Sequence, residues 1–164
     1  MRKKYNRLMA TVVRDKQRIA LKYFRTKEER DEFRHQVRIK EVEEHPEWSD
    51  IKKARNMAGM SIREMADFLG VTYATAHKMD GDDYNNWMVP YIIEILKNRE
   101  DIQPYTVKQL KSKRENLEIS IKEFCDKIGI SYGMYRLIES GNQKTRPLTL
   151  KVLTHCINKI ESTR

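Results

Sequence analysis

Cationic side chains are the most abundant chemically active groups in this sequence. The 164 residues include 33 Lys and Arg against 24 Asp and Glu, which gives a formal charge of +9. Residues 1–40 hold 14 cations and 5 acids, residues 41–50 hold five acids and no Lys or Arg, and residues 104–164 hold 12 cations and 6 acids. Because a cationic surface attracts phosphates, the two ends of the chain are predicted to meet nucleic acid.

Catalytic chemistry finds little support in the residue pattern. His35 and Arg38 form the HxxR pair of tyrosine recombinases, but such a catalytic domain needs far more chain, another arginine and a tyrosine nucleophile. His77 and His155 lie far from other metal-ligand types. No glycine-rich phosphate loop or paired carboxylates appear elsewhere. We therefore predict a non-enzymatic protein with no cofactor and no metal site.

The two cysteines bear on the compartment. Cys125 and Cys156 each stand among apolar residues at helical spacing, and neither belongs to a CxxC pair. This pattern favours buried free thiols in a reducing cytosol over a disulfide or a metal site. No run approaches the ~20 apolar residues that span a bilayer, and the N-terminus lacks the apolar stretch of a signal peptide. A cytoplasmic protein without membrane association is expected.

An internal repeat covers roughly residues 50–160 of the chain. The repeated positions share residue type and a constant offset of 59: Ser61 and Ser120, Glu64 and Glu123, Gly70 and Gly129, Tyr73 and Tyr132. The Ser and Glu of each repeat predict a capping box that begins a short helix. The glycine then ends that helix in a left-handed conformation, and Thr72 or Ser131 caps a new one. Helices joined by so short a turn must cross steeply.

The second helix of each repeat is predicted to face outward, with only Ala76 and Met79, or Tyr135 and Ile138, turned into the core. Such a helix fits the DNA major groove. The candidate DNA-binding residues of the second repeat lie on this helix and on the loop after it: Ser131, Tyr132, Gly133, Arg136, Asn142, Gln143, Lys144 and Arg146. Those of the first repeat are Thr72, Tyr73, Thr75, His77 and Lys78. A solvated loop remains the alternative for Lys144 and Arg146.

Both repeats resemble the Cro and lambda-repressor type of helix-turn-helix, a five-helix fold of bacterial and phage regulators. The second repeat is the cleaner match, because Gly129 to Gly141 follows the turn, recognition helix and exit loop of that family without a gap. The first repeat departs after Met79, where acidic residues precede and follow its glycine. The resemblance implies a mainly α fold of two tandem five-helix helix-turn-helix domains, and double-stranded DNA as the partner.

The N-terminal segment predicts a β-hairpin over Leu8–Phe24, followed by a helix that begins in the capping box of Thr26 and Glu29 and ends at about Arg38. This hairpin-plus-helix (ββα, or βββα if Met1–Tyr5 supplies a third strand) resembles the DNA-binding domain of plant ethylene-response factors and the arm-binding domain of integrases. The candidate contacts that the resemblance implies are Arg7, Arg14, Lys16, Arg18 and Lys22. The alternative is a basic module that only packs or dimerises.

The predicted domains are residues 1–40 for this basic module, 41–49 for an acidic linker, 50–103 for the first helix-turn-helix domain and 104–164 for the second. Acidic residues distinguish the first of these two domains. Asp80, Asp82 and Asp83 follow its outward helix where phosphates would lie, and three carboxylates there are expected to repel DNA. The first domain is thus predicted to bind DNA weakly or to contact a protein. Four apolar residues offer either such an interface or simply core: Trp87, Met88, Tyr91 and Ile92.

The leading hypothesis for function is a sequence-specific transcriptional regulator, a repressor of a phage or other mobile element. One alternative is an inhibitor or adaptor of the phage anti-CRISPR kind, which binds a nucleoprotein partner and controls its own promoter. Another is an accessory DNA-binding factor for recombination or plasmid transfer. Tandem repeats allow a monomer to act as a pseudo-dimer, and a homodimer is equally compatible with the sequence.

Overall fold

Helices account for most of the described chain, which confirms the mainly α prediction. The computed structural model describes residues 8–14, 17–24, 26–81, 84–142 and 144–163, with side chains from residue 23 onward. The strands and helices of these residues are β1 (Leu8–Arg14), β2 (Gln17–Phe24), α1 (Lys27–Glu44), α2 (Asp50–Met57), α3 (Ile62–Leu69), α4 (Tyr73–Met79), α5 (Val89–Asn98), α6 (Val107–Asn116), α7 (Ile121–Ile128), α8 (Tyr132–Glu139) and α9 (Pro147–Ser162). They divide into two compact units, Met1–Glu47 and Trp48–Arg164.

The first unit contains the predicted hairpin. Strand β1 pairs antiparallel with β2, and the register shifts between Val12 and Val13. Helix α1 packs on both strands, with the rings of Phe24 and Phe33 centred 5.2 Å apart. The third strand considered for Met1–Tyr5 falls outside the described residues.

Helix α1 begins as predicted and ends later. The Thr26 hydroxyl accepts a hydrogen bond from the Glu29 backbone N–H at 3.2 Å, as expected of an N-cap. The predicted end at about Arg38 is wrong, because α1 continues to Glu44. Its end coincides with the position before Pro46, where the proline ring disfavours helical geometry at His45. Residues 41–44 are therefore helical.

The second unit consists of two groups of four helices. We call α2–α5 the first helix group and α6–α9 the second helix group. In the first group α2 packs on α5 and α3 on α4, and in the second α6 packs on α8 and α9 while α7 packs on α8. The resemblance implied five helices in each group, whereas the described residues form four. In the second group, the single long helix that starts at Pro147 completes the set.

Helix α9 connects the two helix groups. Residues 151–157 are buried without interruption, although an amphipathic surface helix buries one stripe only. Helix α9 packs on α6 in its own group and on α5 in the other. Polar contacts reinforce this second surface, since Lys159 Nζ donates to Glu94 at 2.7 Å and His155 Nδ1 lies 2.8 Å from Glu100 Oε2. The two groups are thus held together through one helix.

Both cysteines are buried free thiols, which confirms that prediction. Burial raises the pKa of the Cys156 thiol from 9.0 to about 12, because a thiolate would lose its hydration there. A group whose pKa is raised on folding stabilises the fold below its unfolded pKa and loses that contribution as pH rises. We therefore expect the stability of Cys156→Ala to depend less on pH than that of the parent.

Urea unfolding of both proteins at about pH 8 and pH 10 measures this difference. The contribution of the parent thiol should fall by ~1.4 kcal/mol per pH unit above about pH 9. Equal pH dependence in the two proteins would contradict a buried thiol at position 156. An alkylating reagent at pH 8 should modify Cys156 only after unfolding.

Candidate nucleic-acid interface

The turn between α7 and α8 is built as the sequence predicts. Gly129 ends α7 with φ +72°, a left-handed conformation in which side chains other than glycine are strained. The Cys125 carbonyl accepts hydrogen bonds from the N–H groups of both Gly129 and Ile130. Ser131 then caps α8, its hydroxyl accepting from the Met134 N–H at 3.3 Å. Only three residues, Gly129 to Ser131, therefore separate α7 from α8.

The core fixes which face of α8 points outward. Tyr135 and Ile138 are 1% and 2% exposed, and the Tyr135 ring centre lies 4.9 Å from that of Phe124 on α7. The remaining face is open to solvent. Its exposed residues are Tyr132, Gly133, Met134, Arg136 and Leu137, and the N-cap Ser131 is exposed as well. Four of these residues, Ser131, Tyr132, Gly133 and Arg136, are candidate contacts from the sequence, whereas Met134 and Leu137 are not among those candidates.

The loop after α8 supplies further polar groups. Asn142, Lys144 and Arg146 are exposed, while Gln143 lies outside the described residues. Gly141 begins the loop with φ +73°, and Arg146 is the N-cap residue of α9. Together with Arg136, the two loop cations place three positive side chains on α8 and the segment that follows it.

The first helix group repeats this arrangement at α3 and α4. Gly70 ends α3 with φ +68°, and the Thr72 hydroxyl accepts from the Thr75 N–H at 3.2 Å. The buried positions of α4 are Ala76 and Met79. Its predicted contact residues are all exposed: Thr72, Tyr73, Thr75, His77 and Lys78.

A buried ion pair occurs at the same place in both groups. In the second, the Arg114 guanidinium donates to Glu139 at 2.8 Å and to the Ile119 carbonyl at 2.6 Å. The pair is almost excluded from water, with 9% and 7% of the two side chains exposed. Sequence reasoning missed this pair, although Arg114 and Glu139 were both readable as charged residues on helices of one repeat.

In the first group, Arg55 donates to Asp80 at 2.6 Å and to the Met60 carbonyl at 2.8 Å. Arg55, Met60 and Asp80 each precede their counterparts in the second group by 59 residues. The expectation that Asp80 repels DNA is wrong, because only 8% of its side chain is exposed and its charge is matched by the arginine. Asp82 and Asp83 lie outside the described residues.

The four apolar residues after this loop belong to the core of the second unit rather than to an open interface. Ile92 is fully buried, and Trp87, Met88 and Tyr91 pack against the core. The Met88 sulfur accepts from the Thr149 hydroxyl of α9 at 3.9 Å, so this residue contributes to the connection between the helix groups.

The N-terminal candidates are less defined. Arg14, Arg18 and Lys22 lie on the hairpin strands, but their side chains are outside the described part of the structure, as are Arg7 and Lys16 entirely. The exposed Tyr23 precedes the buried Phe24, which ends β2. The His35 and Arg38 pair lies on α1 with both residues partly buried.

Among the described residues, no group of three or more His, Cys, Asp or Glu side chains could hold a metal ion. No helix among them is sufficiently long and apolar to cross a membrane.

Comparison with protein families bears on the second helix group. A family model described as helix-turn-helix matches residues 110–160, about a third of the 164-residue chain. The match begins in α6 and ends in α9, so it spans the α7–turn–α8 segment. Comparison with curated proteins gives no match, and comparison with solved structures gives none either. The family match supports the predicted Cro and lambda-repressor type of helix-turn-helix and, with it, a DNA-binding regulator.

Proposed function

We propose that the protein is a sequence-specific transcriptional regulator that binds double-stranded DNA, a repressor of a phage or other mobile element. The observation that carries this proposal is the presentation of α8. One face of that helix is anchored in the core by Tyr135 and Ile138, and the other is open to solvent within the segment that matches the helix-turn-helix family. A helix presented in this way fits the major groove.

The roles of the contact residues follow from their chemistry. Arg136 on α8 reaches guanine or a phosphate, and Lys144 and Arg146 on the exit loop follow the phosphate backbone. Tyr132 offers a hydroxyl and an aromatic face, and Gly133 permits close approach of the helix. Ser131, Asn142 and Gln143 complete the polar set at the two ends of α8. Arg136, Lys144 and Arg146 belong to residues 104–164, in which Lys and Arg outnumber Asp and Glu by 12 to 6.

The first helix group acts in this proposal as a second DNA-binding module in tandem. The matching buried ion pairs, Arg55 with Asp80 and Arg114 with Glu139, support a common architecture for the two groups. Thr72, Tyr73, Thr75, His77 and Lys78 are its contact residues. A single chain then presents two recognition helices and needs no second copy to occupy two half-sites.

The adaptor function is less well supported. It draws in part on repulsion of DNA by acidic residues after α4 and on apolar residues at the start of α5. Asp80 is internal and paired, and Ile92 is fully buried. Both observations weaken these two grounds for a protein partner of the first helix group. The N-terminal hairpin is proposed to add phosphate contacts through Arg7, Arg14, Lys16, Arg18 and Lys22.

Selection from a pool of random duplexes tests sequence-specific binding. We expect selection to enrich a sequence motif, and we expect the protein to bind the DNA that flanks its gene. If six or more phosphates are contacted, the affinity should fall roughly 10³-fold or more between about 50 and 200 mM salt. If the selection yields no motif and binding is weak at both salt concentrations, the protein is not a sequence-specific regulator.

The substitution Arg136→Ala tests the orientation of α8. Loss of a base or phosphate contact of ~1–3 kcal/mol should weaken binding of the selected duplex about 5- to 150-fold, with an unchanged circular dichroism spectrum because the side chain is exposed. The matched control is Lys108→Ala, which removes an exposed cation from α6. Fluorescence anisotropy titrations should show a much smaller effect for the control. Equal effects of the two substitutions would indicate that α8 does not face the DNA.

A further inference from the structure

The exposed face of α8 carries more large apolar side chains than that of α4. Tyr132 is 48% exposed, Met134 36% and Leu137 50%. Arg136 is the one charged side chain of this face. The hydroxyl of Ser131 already accepts the hydrogen bond that caps the helix. Among the described residues of this face, few side-chain groups can therefore form hydrogen bonds to base edges.

Packing does not require this composition. The corresponding helix α4 has the same pattern of buried positions, Ala76 and Met79, yet its open face carries Thr75, His77 and Lys78 beside a single large ring, Tyr73. The α8 face thus differs from the α4 face in chemistry while the framework beneath is repeated. A difference of this kind points to what the helix contacts.

Met134 and Leu137 are three residues apart and so lie side by side on the helix. The isobutyl group of Leu137 forms no hydrogen bond and the thioether of Met134 is only a weak acceptor, so neither can make the strong hydrogen bonds that distinguish most base edges. The apolar group that the major groove does display is the C5 methyl of thymine. Burying one such methyl against an aliphatic side chain gains about 0.8 kcal/mol.

We propose that α8 reads thymine by its methyl group, with Leu137 and Met134 as the specificity-determining residues. This inference rests on the proposed DNA-binding function. The cations around the face support DNA as the occupant, since Arg136 lies within it and Lys144 and Arg146 follow on the exit loop, all exposed. In this proposal the half-site that α8 contacts requires thymine at one or two positions, whereas α4 recognises its half-site through polar side chains.

Replacement of thymine by deoxyuridine tests the inference, because it removes the C5 methyl and leaves base pairing and hydrogen-bonding groups in place. Each thymine of the selected duplex is replaced singly, and affinity is measured by anisotropy. We expect about a three- to fivefold loss at one or two positions. The variant Leu137→Ala or Met134→Ala should bind the thymine duplex more weakly and lose that sensitivity. The control Met57→Ala, which truncates a 52% exposed methionine on α2, should retain both.

The outcomes separate the two proposals. Tight binding of the selected duplex with no effect of deoxyuridine at any position would overturn methyl reading and leave the DNA-binding function intact. Deoxyuridine sensitivity that persists in both Leu137→Ala and Met134→Ala would overturn the assignment to these residues. A parent dimer that Leu137→Ala converts to a monomer, measured by sedimentation, would make the face an interface between copies and overturn the inference. Absence of binding to every duplex would refute the DNA-binding function itself.

Discussion

Replacing Glu139 with alanine should destabilise the second unit by ~3–5 kcal/mol. The substitution leaves the Arg114 guanidinium buried, with 9% of its side chain exposed, and without the carboxylate that accepts its hydrogen bonds. The Glu115 carboxylate lies 3.5 Å from this guanidinium but is 54% exposed, so it compensates the charge only in part. A buried charge that loses its main partner costs far more than the net value of the pair. The same reasoning applies to Asp80→Ala, which strands Arg55 in the first helix group. Urea unfolding followed by circular dichroism measures both losses.

Two comparison proteins make this result specific. The double substitution Arg114→Met with Glu139→Leu removes both charges and should recover most of the lost stability, because apolar residues of similar volume can replace a buried pair. The control Lys127→Ala disrupts an exposed pair with Glu123, in which both side chains are 49% exposed, and should have little effect. A loss for Glu139→Ala as small as that for Lys127→Ala would mean that the pair is hydrated in solution.

Leu153→Ala should destabilise both helix groups together. Leu153 is fully buried in α9, so loss of its side chain should cost ~2–5 kcal/mol. Because α9 packs on α5 as well as on α6, we expect the two groups to unfold in one transition. Both tryptophans of the chain, Trp48 and Trp87, lie outside the second helix group. The urea midpoint measured by tryptophan fluorescence should therefore fall by as much as the midpoint measured by circular dichroism.

A matched substitution on the same helix serves as the control. Asn158→Ala changes an exposed residue of α9 and should leave the urea midpoint nearly unchanged. Coupling through α9 would be refuted if Leu153→Ala lowered the circular dichroism midpoint while the fluorescence midpoint stayed at the parent value. Each helix group would then unfold independently.

Local patterns predicted the helix pairs because local interactions build them. The capping serine, the left-handed glycine and the second cap all act within a few residues, and the positions of Gly70 and Gly129 agree with expectation. The buried faces of α4 and α8 follow from helical periodicity. The outward candidates on both helices are consequently exposed, as predicted from the sequence.

Long-range contacts explain what the sequence did not reveal. Asp80 looks like a surface acid, since its partner Arg55 is 25 residues away and no local pattern links them. The burial of α9 on several sides depends on α5, which belongs to the other helix group. The end of α1 differs from the prediction for another reason, because the acidic composition of residues 41–44 resembles that of a linker, yet the helix continues to Glu44.

Because α9 joins two helix groups that differ in exposed chemistry, the second unit is asymmetric. Two helix groups with different exposed chemistry, polar on α4 and apolar on α8, are joined in a fixed order by one buried helix. If both bind DNA as proposed, a bound molecule has a distinct front and back along the duplex. Inverting its site would then turn a different end of the protein toward a neighbouring promoter, so the protein would read the orientation of its site as well as its sequence.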